Sequence, residues 1–175
     1  MSQRANALAD RLEHGARALA SFADSLTDAE WRTAVPHDGR TMGVLVHHVA
    51  SVYPLEVDLA RSLAAGKPIA GVTWDVVHEM NAKHQQAHAA VSKPEAIDLL
   101  RRNSAAAAAA VRAFTDADLD GAATVSLYGD ATLTAQFMLE DHAVRHSLHH
   151  LARMRAALDR EKAPRGNSKG VEHGK

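Results

Sequence analysis

The sequence predicts an all-α protein, a bundle of four long helices with one short additional helix. Two observations support this fold class. Apolar residues recur at spacings of three, four and seven along most of the chain, which is the periodicity of one helix face. Residue patterns that begin and end helices separate these segments. No stretch has the alternation of a convincing strand, and residues 123–128 are the only weak candidate.

The first half of the chain predicts two long helices and a turn. The first helix covers residues 2–26, and a capping-box pattern over residues 27–30 predicts a short helical turn. The second long helix covers residues 41–65 and stops before Gly66, and Pro54 lies inside it as a point where it can bend. Its apolar stripe consists of Leu45, Val49, Val52, Leu55, Leu59 and Leu63.

The second half predicts three more helices. A less regular one covers residues 74–91, and another capping-box pattern opens a helix over residues 92–114. The six alanines of residues 105–110 favour helix and permit close approach of a neighbouring helix. A glycine-containing loop leads to the last helix, expected over residues 131–159.

Length and composition indicate one domain. The chain of 175 residues is long enough to bury a core, and the bundle is expected over residues 1–160. Residues 161–175 are rich in glycine and lysine, with one serine, one proline and a single valine, so they are predicted to be a disordered tail.

Charge and residue content exclude several classes of function. The 20 lysines and arginines balance 21 acidic residues, which argues against a nucleic-acid partner. The longest weakly apolar run, residues 104–111, is far shorter than the ~20 residues of a membrane span. The N-terminal segment lacks the apolar stretch of a signal peptide, so a cytoplasmic protein is expected. Without cysteine, the chain has neither disulfides nor a thiol nucleophile.

Histidine is the residue type that points to chemistry, with 12 residues that cluster in the helices. Because a helix turns about 100° per residue, His48 falls in the apolar stripe of the second helix and His47 falls opposite it. His48 is therefore predicted to be buried and His47 exposed. In the last helix, His146 and His150 lie one turn apart on an inward face.

Three inward histidines from two helices suit Zn²⁺, Ni²⁺ or Fe²⁺ and leave coordination positions open for water or substrate. Spacing alone leaves two other interpretations open. The inward histidines can be core residues satisfied by neighbouring carboxylates, without any metal. A rival pair, His84 and His88, also lies one turn apart, and forms either a polar seam, the metal pair or part of a substrate pocket.

Other polar residues are weaker candidates for function. Glu56 lies in the apolar stripe of the second helix, where an ion pair with an arginine is favoured over a role beside a metal or as a base. Tyr128 can offer its hydroxyl to a pocket or pack in its loop. His142 and His149 are expected at the surface, and no Ser-His-Asp constellation can be assembled.

Two motifs carry a resemblance to a known family. The hexapeptide LVHHVA at residues 45–50 and the pentapeptide HSLHH at residues 146–150 resemble, in this order, motifs of the DinB/YfiT-like superfamily of metalloproteins. The resemblance covers residues 5–158. Residues 74–90, with Asn81, also resemble the middle region of the maleylpyruvate isomerase-like branch.

The resemblance implies a four-helix bundle with a long crossover, a metal at one end of the bundle, and often a homodimer. It places the metal ligands at His48, His146 and His150, with zinc the favoured ion and nickel the second. It also implies a thiol-dependent S-transferase or isomerase that acts on a small molecule together with a low-molecular-weight thiol. The alternatives are a metal-dependent hydrolase and a non-catalytic, stress-related metal-binding bundle. The loops at residues 37–40 and 128–130 are expected to line the pocket.

Overall fold

A computed structural model describes residues 2–162 of the chain. The helices are, in chain order, α1 (Gln3–Ser25), α2 (Asp28–Arg32), α3 (Met42–Ala64), α4 (Trp74–Ala87), α5 (Lys93–Arg112), α6 (Asp116–Asp120), α7 (Ala135–Met138) and α8 (Arg145–Lys162). Two short strands, β1 (Ala122–Val125) and β2 (Ala131–Thr134), stand between α6 and α7. A π-helical segment, Leu139–Val144, joins α7 to α8.

The predicted all-α four-helix bundle is confirmed. Helix α1 packs against α5 and α8, and α3 packs against α5, α7 and α8, so α1 and α3 occupy diagonal corners. Residues 65–92, which include α4, form the long connection between α3 and α5. This arrangement brings the N-terminal half of α3 against α8, where the inward histidines are expected.

The helix starts follow the predicted capping chemistry. The hydroxyls of Ser2, Thr41 and Ser92 each accept a hydrogen bond from a backbone N–H in the first turn of the helix that follows. Both hydrogen bonds of the capping box between Thr27 and Glu30 are present at the start of α2. Helix α6, which lies in the predicted loop, has the same box between Thr115 and an aspartate.

The β-hairpin is a correction to the predicted last helix. Strands β1 and β2 pair antiparallel through a turn at Gly129 and Asp130, whose φ angles of 65° and 58° lie in the left-handed region. Such a turn allows β-branched threonines and valines to pair as a hairpin instead of continuing a helix. The weak strand candidate at residues 123–128 is thus partly right, and the helix begins only at Ala135, after the cap at Thr134.

The buried face of α3 differs from the predicted stripe. Its first half, residues 42–50, is buried on all sides. In the second half the chain is half-exposed at Val52, and Leu55 is 44% exposed. The buried residues there are Tyr53, Glu56, Val57, Ala60 and Leu63. The buried face of α3 therefore differs from the predicted stripe, because α5, α7 and α8 pack against the side that carries these residues.

Helix α4 lies outside the bundle. None of its residues is buried, and Trp74, Val76 and Met80 remain exposed. It ends at Ala87, earlier than the predicted residue 91. The predicted tail, residues 161–175, begins inside α8, which runs to Lys162, and its remaining residues lie outside the described range. Across residues 2–162, no helix combines the length and the apolar character of a membrane span.

Candidate metal centre

The structure brings His48, His146 and His150 together between α3 and α8. Their ring centroids are separated by 5.1 Å (His48 to His146), 5.7 Å (His48 to His150) and 4.9 Å (His146 to His150). One ring nitrogen from each lies within 4.8 Å of those of the other two. The three side chains therefore converge on a common point, as three ligands of one ion would.

The local structure of α8 places two of these rings. His146 and His150 are separated by one turn, so both side chains lie on the face that packs against α3. The wider turns of the π-helical segment Leu139–Val144 precede them and change the phase in which α8 meets α3. π-Helical insertions of this kind occur frequently at functional sites.

Glu56 orients one ring of the cluster. Its Oε1 accepts a hydrogen bond from Nδ1 of His146 at 2.6 Å, and the carboxylate is 4% exposed. The predicted ion pair with an arginine is thus wrong, because the partner across the helix interface is a histidine. In neutral His146 the proton of this hydrogen bond is on Nδ1, so Nε2 is the nitrogen with a free electron pair.

Burial keeps two of the rings neutral. Desolvation first, and then the charges of His146 and Arg40, lower the pKa of His48 to about 2. The pKa of His150 falls to about 2 for the same reasons. Neutral imidazole is the form that binds metal. Among the described residues, nothing hydrogen-bonds the buried Nδ1 of His150, so this ring has a polar atom without a partner. The donor set fits a divalent transition-metal ion.

His47 is a correction to the predicted exposed position. The side chain is 6% exposed because α4 covers this side of α3. Nδ1 of His47 lies 2.9 Å from Nε2 of His84, and its ring stacks on that of His88 with centroids 3.9 Å apart. The rival pair, His84 and His88, thus meets α3 directly beside the first cluster, with the rings of His48 and His84 5.4 Å apart.

The ion pairs beside the rings follow only from the structure, although Asp38 and Arg40 belong to the loop that is predicted to line the pocket. Arg40 is 8% exposed and pairs with Asp38, which also accepts a hydrogen bond from Arg153 at 3.2 Å. Burial opposes ionisation of Asp38, but both arginines hold its pKa below the usual range. Among the described residues, nothing hydrogen-bonds the buried Nη1 of Arg40. The available signal was the position of Arg40, directly before the Thr41 cap of the helix that carries His48.

An open cavity of about 400 Å³ adjoins this loop. It is lined by His37, Asp38, Arg40, His78, Asn81, Ala82 and Gln85. Three residues of the loop at 37–40 line this cavity, but its lining includes none of His48, His146 and His150, so the predicted pocket at the metal centre stays a prediction. The loop at residues 128–130 is not among its lining residues.

The remaining candidates lie beside the cluster or outside it. Tyr128 packs, and its hydroxyl donates to Oδ2 of Asp141 at 2.5 Å and lies 3.0 Å from Nε2 of His142. His142 is half-buried, so its predicted surface position is wrong, because the hairpin that carries Tyr128 covers it. His149 is exposed, as predicted.

Comparison with known proteins gives two matches. The family model of the DinB superfamily matches residues 11–154. YfiT from Bacillus subtilis, described as "a probable metal-dependent hydrolase with an unusual four-helix bundle topology", is similar in structure at 18% sequence identity. The TM-score is 0.70, and the match covers 92% of this chain and 90% of that one. At this identity the similarity shows the fold alone. No match was found among curated proteins.

Proposed function

Because the chain belongs to the DinB superfamily, we propose that it is a metal-dependent enzyme with its centre at His48, His146 and His150. The observation that carries the proposal is the convergence of three imidazoles in which the two most buried rings are neutral and the third is oriented by Glu56. An unsatisfied polar atom also supports the proposal, since Nδ1 of His150 is buried with no hydrogen-bond partner among residues 2–162.

Zinc is the favoured ion and nickel the second, because imidazole nitrogens bind both. When bound, the ion would act as a Lewis acid and lower the pKa of a coordinated water or thiol. Three protein ligands leave positions open for such a nucleophile and for substrate. Glu56 would accept the hydrogen bond from Nδ1–H of His146 during the reaction and so keep that ring in one orientation.

Hydrolysis of a small molecule is the first candidate reaction. The chain has no cysteine, so a thiolate of the protein itself is excluded as the nucleophile. Water fulfils this role without a further binding site. Arg40 supports the proposal, because its unpartnered Nη1 would donate a hydrogen bond to an anionic or carbonyl oxygen of the substrate. The description of YfiT as a probable metal-dependent hydrolase agrees with this candidate.

Thiol-dependent S-transfer or isomerisation is the second candidate. The cavity of about 400 Å³ favours it, because it has room for a low-molecular-weight thiol and is lined by Arg40, whose charge acts on the ring of His48. The polar lining at Asn81 and Gln85 would bind the backbone of such a peptide-like or sugar-linked cofactor. In this reaction the thiol replaces water as the external nucleophile.

The test measures turnover by metal-loaded and by chelator-treated protein, both free of any histidine tag. One assay uses activated esters and amides, and the other uses electrophiles together with a panel of thiols. Turnover that needs metal but no thiol supports hydrolysis, and turnover that needs both supports transfer or isomerisation. Turnover that is indifferent to metal contradicts the proposal. Metal binding that raises the melting temperature without any turnover favours a purely structural ion.

A further inference from the structure

The second histidine cluster is a site in its own right, and we propose that His47, His84 and His88 bind a second divalent transition-metal ion. This cluster joins α3 to α4, whereas the first joins α3 to α8. One ring nitrogen from each residue lies within 4.8 Å of those of the other two, as in the first cluster. The inference stands independently of the reaction proposed above.

The distances are close to those of a bound ion. Two nitrogens that bind one tetrahedral zinc at about 2.0–2.1 Å lie roughly 3.3 Å apart. Nδ1 of His47 and Nε2 of His84 are 2.9 Å apart, so an opening of a few tenths of an ångström would admit the ion between them. The ring of His88 lies 4.7 Å from that of His84 and 3.9 Å from that of His47, within reach of the same point.

The donor atoms of the cluster suit the same kind of ligand. Nδ1 of His84 is buried and has no hydrogen-bond partner among residues 2–162. The cluster contains no carboxylate, and soft or borderline ions such as Zn²⁺, Ni²⁺ and Co²⁺ suit three imidazoles better than Ca²⁺ or Mg²⁺ does.

The position of α4 gives the second ion a structural consequence. No residue of α4 is buried, and the helix meets α3 through ring contacts of His84 with His47 and His48. The ring of His88, the residue directly after α4, stacks on His47. A hydrogen bond between two neutral rings is a weak attachment for a helix of 14 residues. An ion held by α3 and α4 would fix α4 over the cavity that α4 shares with the loop of Arg40.

The experiment counts ions and locates them. Tag-free, full-length protein is stripped with a chelator and titrated with Zn²⁺ by calorimetry. We expect two equivalents per chain for the wild type, and one each for His88→Ala and His146→Ala. His78→Ala is the matched control, because this histidine lies on α4 outside the cluster, and it should keep two equivalents. His84→Ala repeats the test should His88→Ala fail to fold.

Hydrogen exchange provides a second readout that does not depend on activity. Exchange in residues 74–87 should slow when the second equivalent binds to the wild type, and should not respond to zinc in folded His88→Ala. A single equivalent in the wild type that His88→Ala retains overturns the proposal, as do two equivalents in both His84→Ala and His88→Ala. A single equivalent that is lost in His88→Ala and also in His146→Ala overturns it too, since one ion would then draw on both clusters. A single equivalent that is lost in His88→Ala but kept in His146→Ala supports the second site and contradicts the first.

Discussion

Glu56 and His146 are ninety positions apart, yet Oε1 of one accepts a hydrogen bond from Nδ1 of the other at 2.6 Å. The contact joins α3 to α8 inside the bundle and fixes which nitrogen of His146 is free. Oε2 of Glu56 has no partner, so the carboxylate serves this histidine alone among the described residues.

Replacing this carboxylate should weaken metal binding without removing a ligand. Loss of such an orienting partner typically costs 10–100-fold in metal affinity, so Glu56→Ala should raise the Kd for Zn²⁺ by about that factor. Glu56→Gln keeps an acceptor oxygen and should lose less. Competition titration against a chromogenic chelator measures both. Glu140→Gln, in an exposed pair with Arg11, is the control, and an unchanged Kd in Glu56→Ala would contradict the assigned role.

Two neighbouring histidines of α8 should behave differently on removal. His146→Ala should lower turnover by orders of magnitude, because a centre without one ligand loses Lewis-acid stabilisation of several kcal/mol. His149→Ala, at an exposed position, should keep its metal content and change activity modestly at most. Elemental analysis and initial rates decide this prediction. Equal losses of metal in the two variants would mean that the ligand set is wrongly assigned.

Stability of the metal-free protein should fall as the pH is lowered from 7 to 5. The folded-state pKa of both His48 and His150 is about 2, below the ordinary value of 6.5. The unfolded chain therefore takes up protons first, and each such histidine removes up to about 1.4 kcal/mol per pH unit below pH 6.5. Urea unfolding at several pH values measures the slope. The pH dependence of the unfolding free energy should be weaker in His150→Gln. His14→Gln, at an exposed position of α1, is the control and should keep the wild-type slope. A wild-type stability that does not change between pH 7 and 5 would contradict the prediction.

Gly43 should not tolerate a side chain, although it lies inside a helix. A Cβ at this position would lie 2.5 Å from the indole of Trp31, whose Nε1 donates to the carbonyl of Val91 at 3.0 Å. Overpacking of this kind costs about 1–3 kcal/mol, so Gly43→Ala should lower the urea midpoint. At Gly15 a Cβ would meet Leu148 and Ser147 at 3.4 Å, an ordinary contact. Gly15→Ala should therefore increase the free energy of unfolding by roughly 0.5–1 kcal/mol, the usual gain from replacing glycine inside a helix. Equal effects of the two substitutions would contradict this interpretation.

The protein is predicted to be a homodimer. Several large apolar side chains stay exposed on the single chain, among them Leu55, Trp74, Met80 and Leu148. Exposed apolar groups of this kind are covered when two copies associate. Light scattering should give about twice the chain mass of 18.7 kDa, and a value at the chain mass would refute the dimer.

Local rules predicted the long helices, because spacing and capping act within a few residues. Hydroxyls at Thr27, Thr41 and Ser92 start helices where the pattern places them. The periodicity of apolar positions by itself also places His48, His146 and His150 on inward faces. For these residues the face of one helix was sufficient information.

The rest depended on which elements pack together. His47 was predicted to be exposed, and it is buried because α4 returns over α3 from a distant part of the chain. The pairing of Glu56 with His146 likewise arises only when α3 and α8 meet, since no spacing rule connects residues ninety positions apart. The surroundings of Arg40 also depended on packing, since its Nη1 is buried and has no hydrogen-bond partner among the described residues. Periodicity assigns a face to a residue, but the partner that covers that face is decided by tertiary packing.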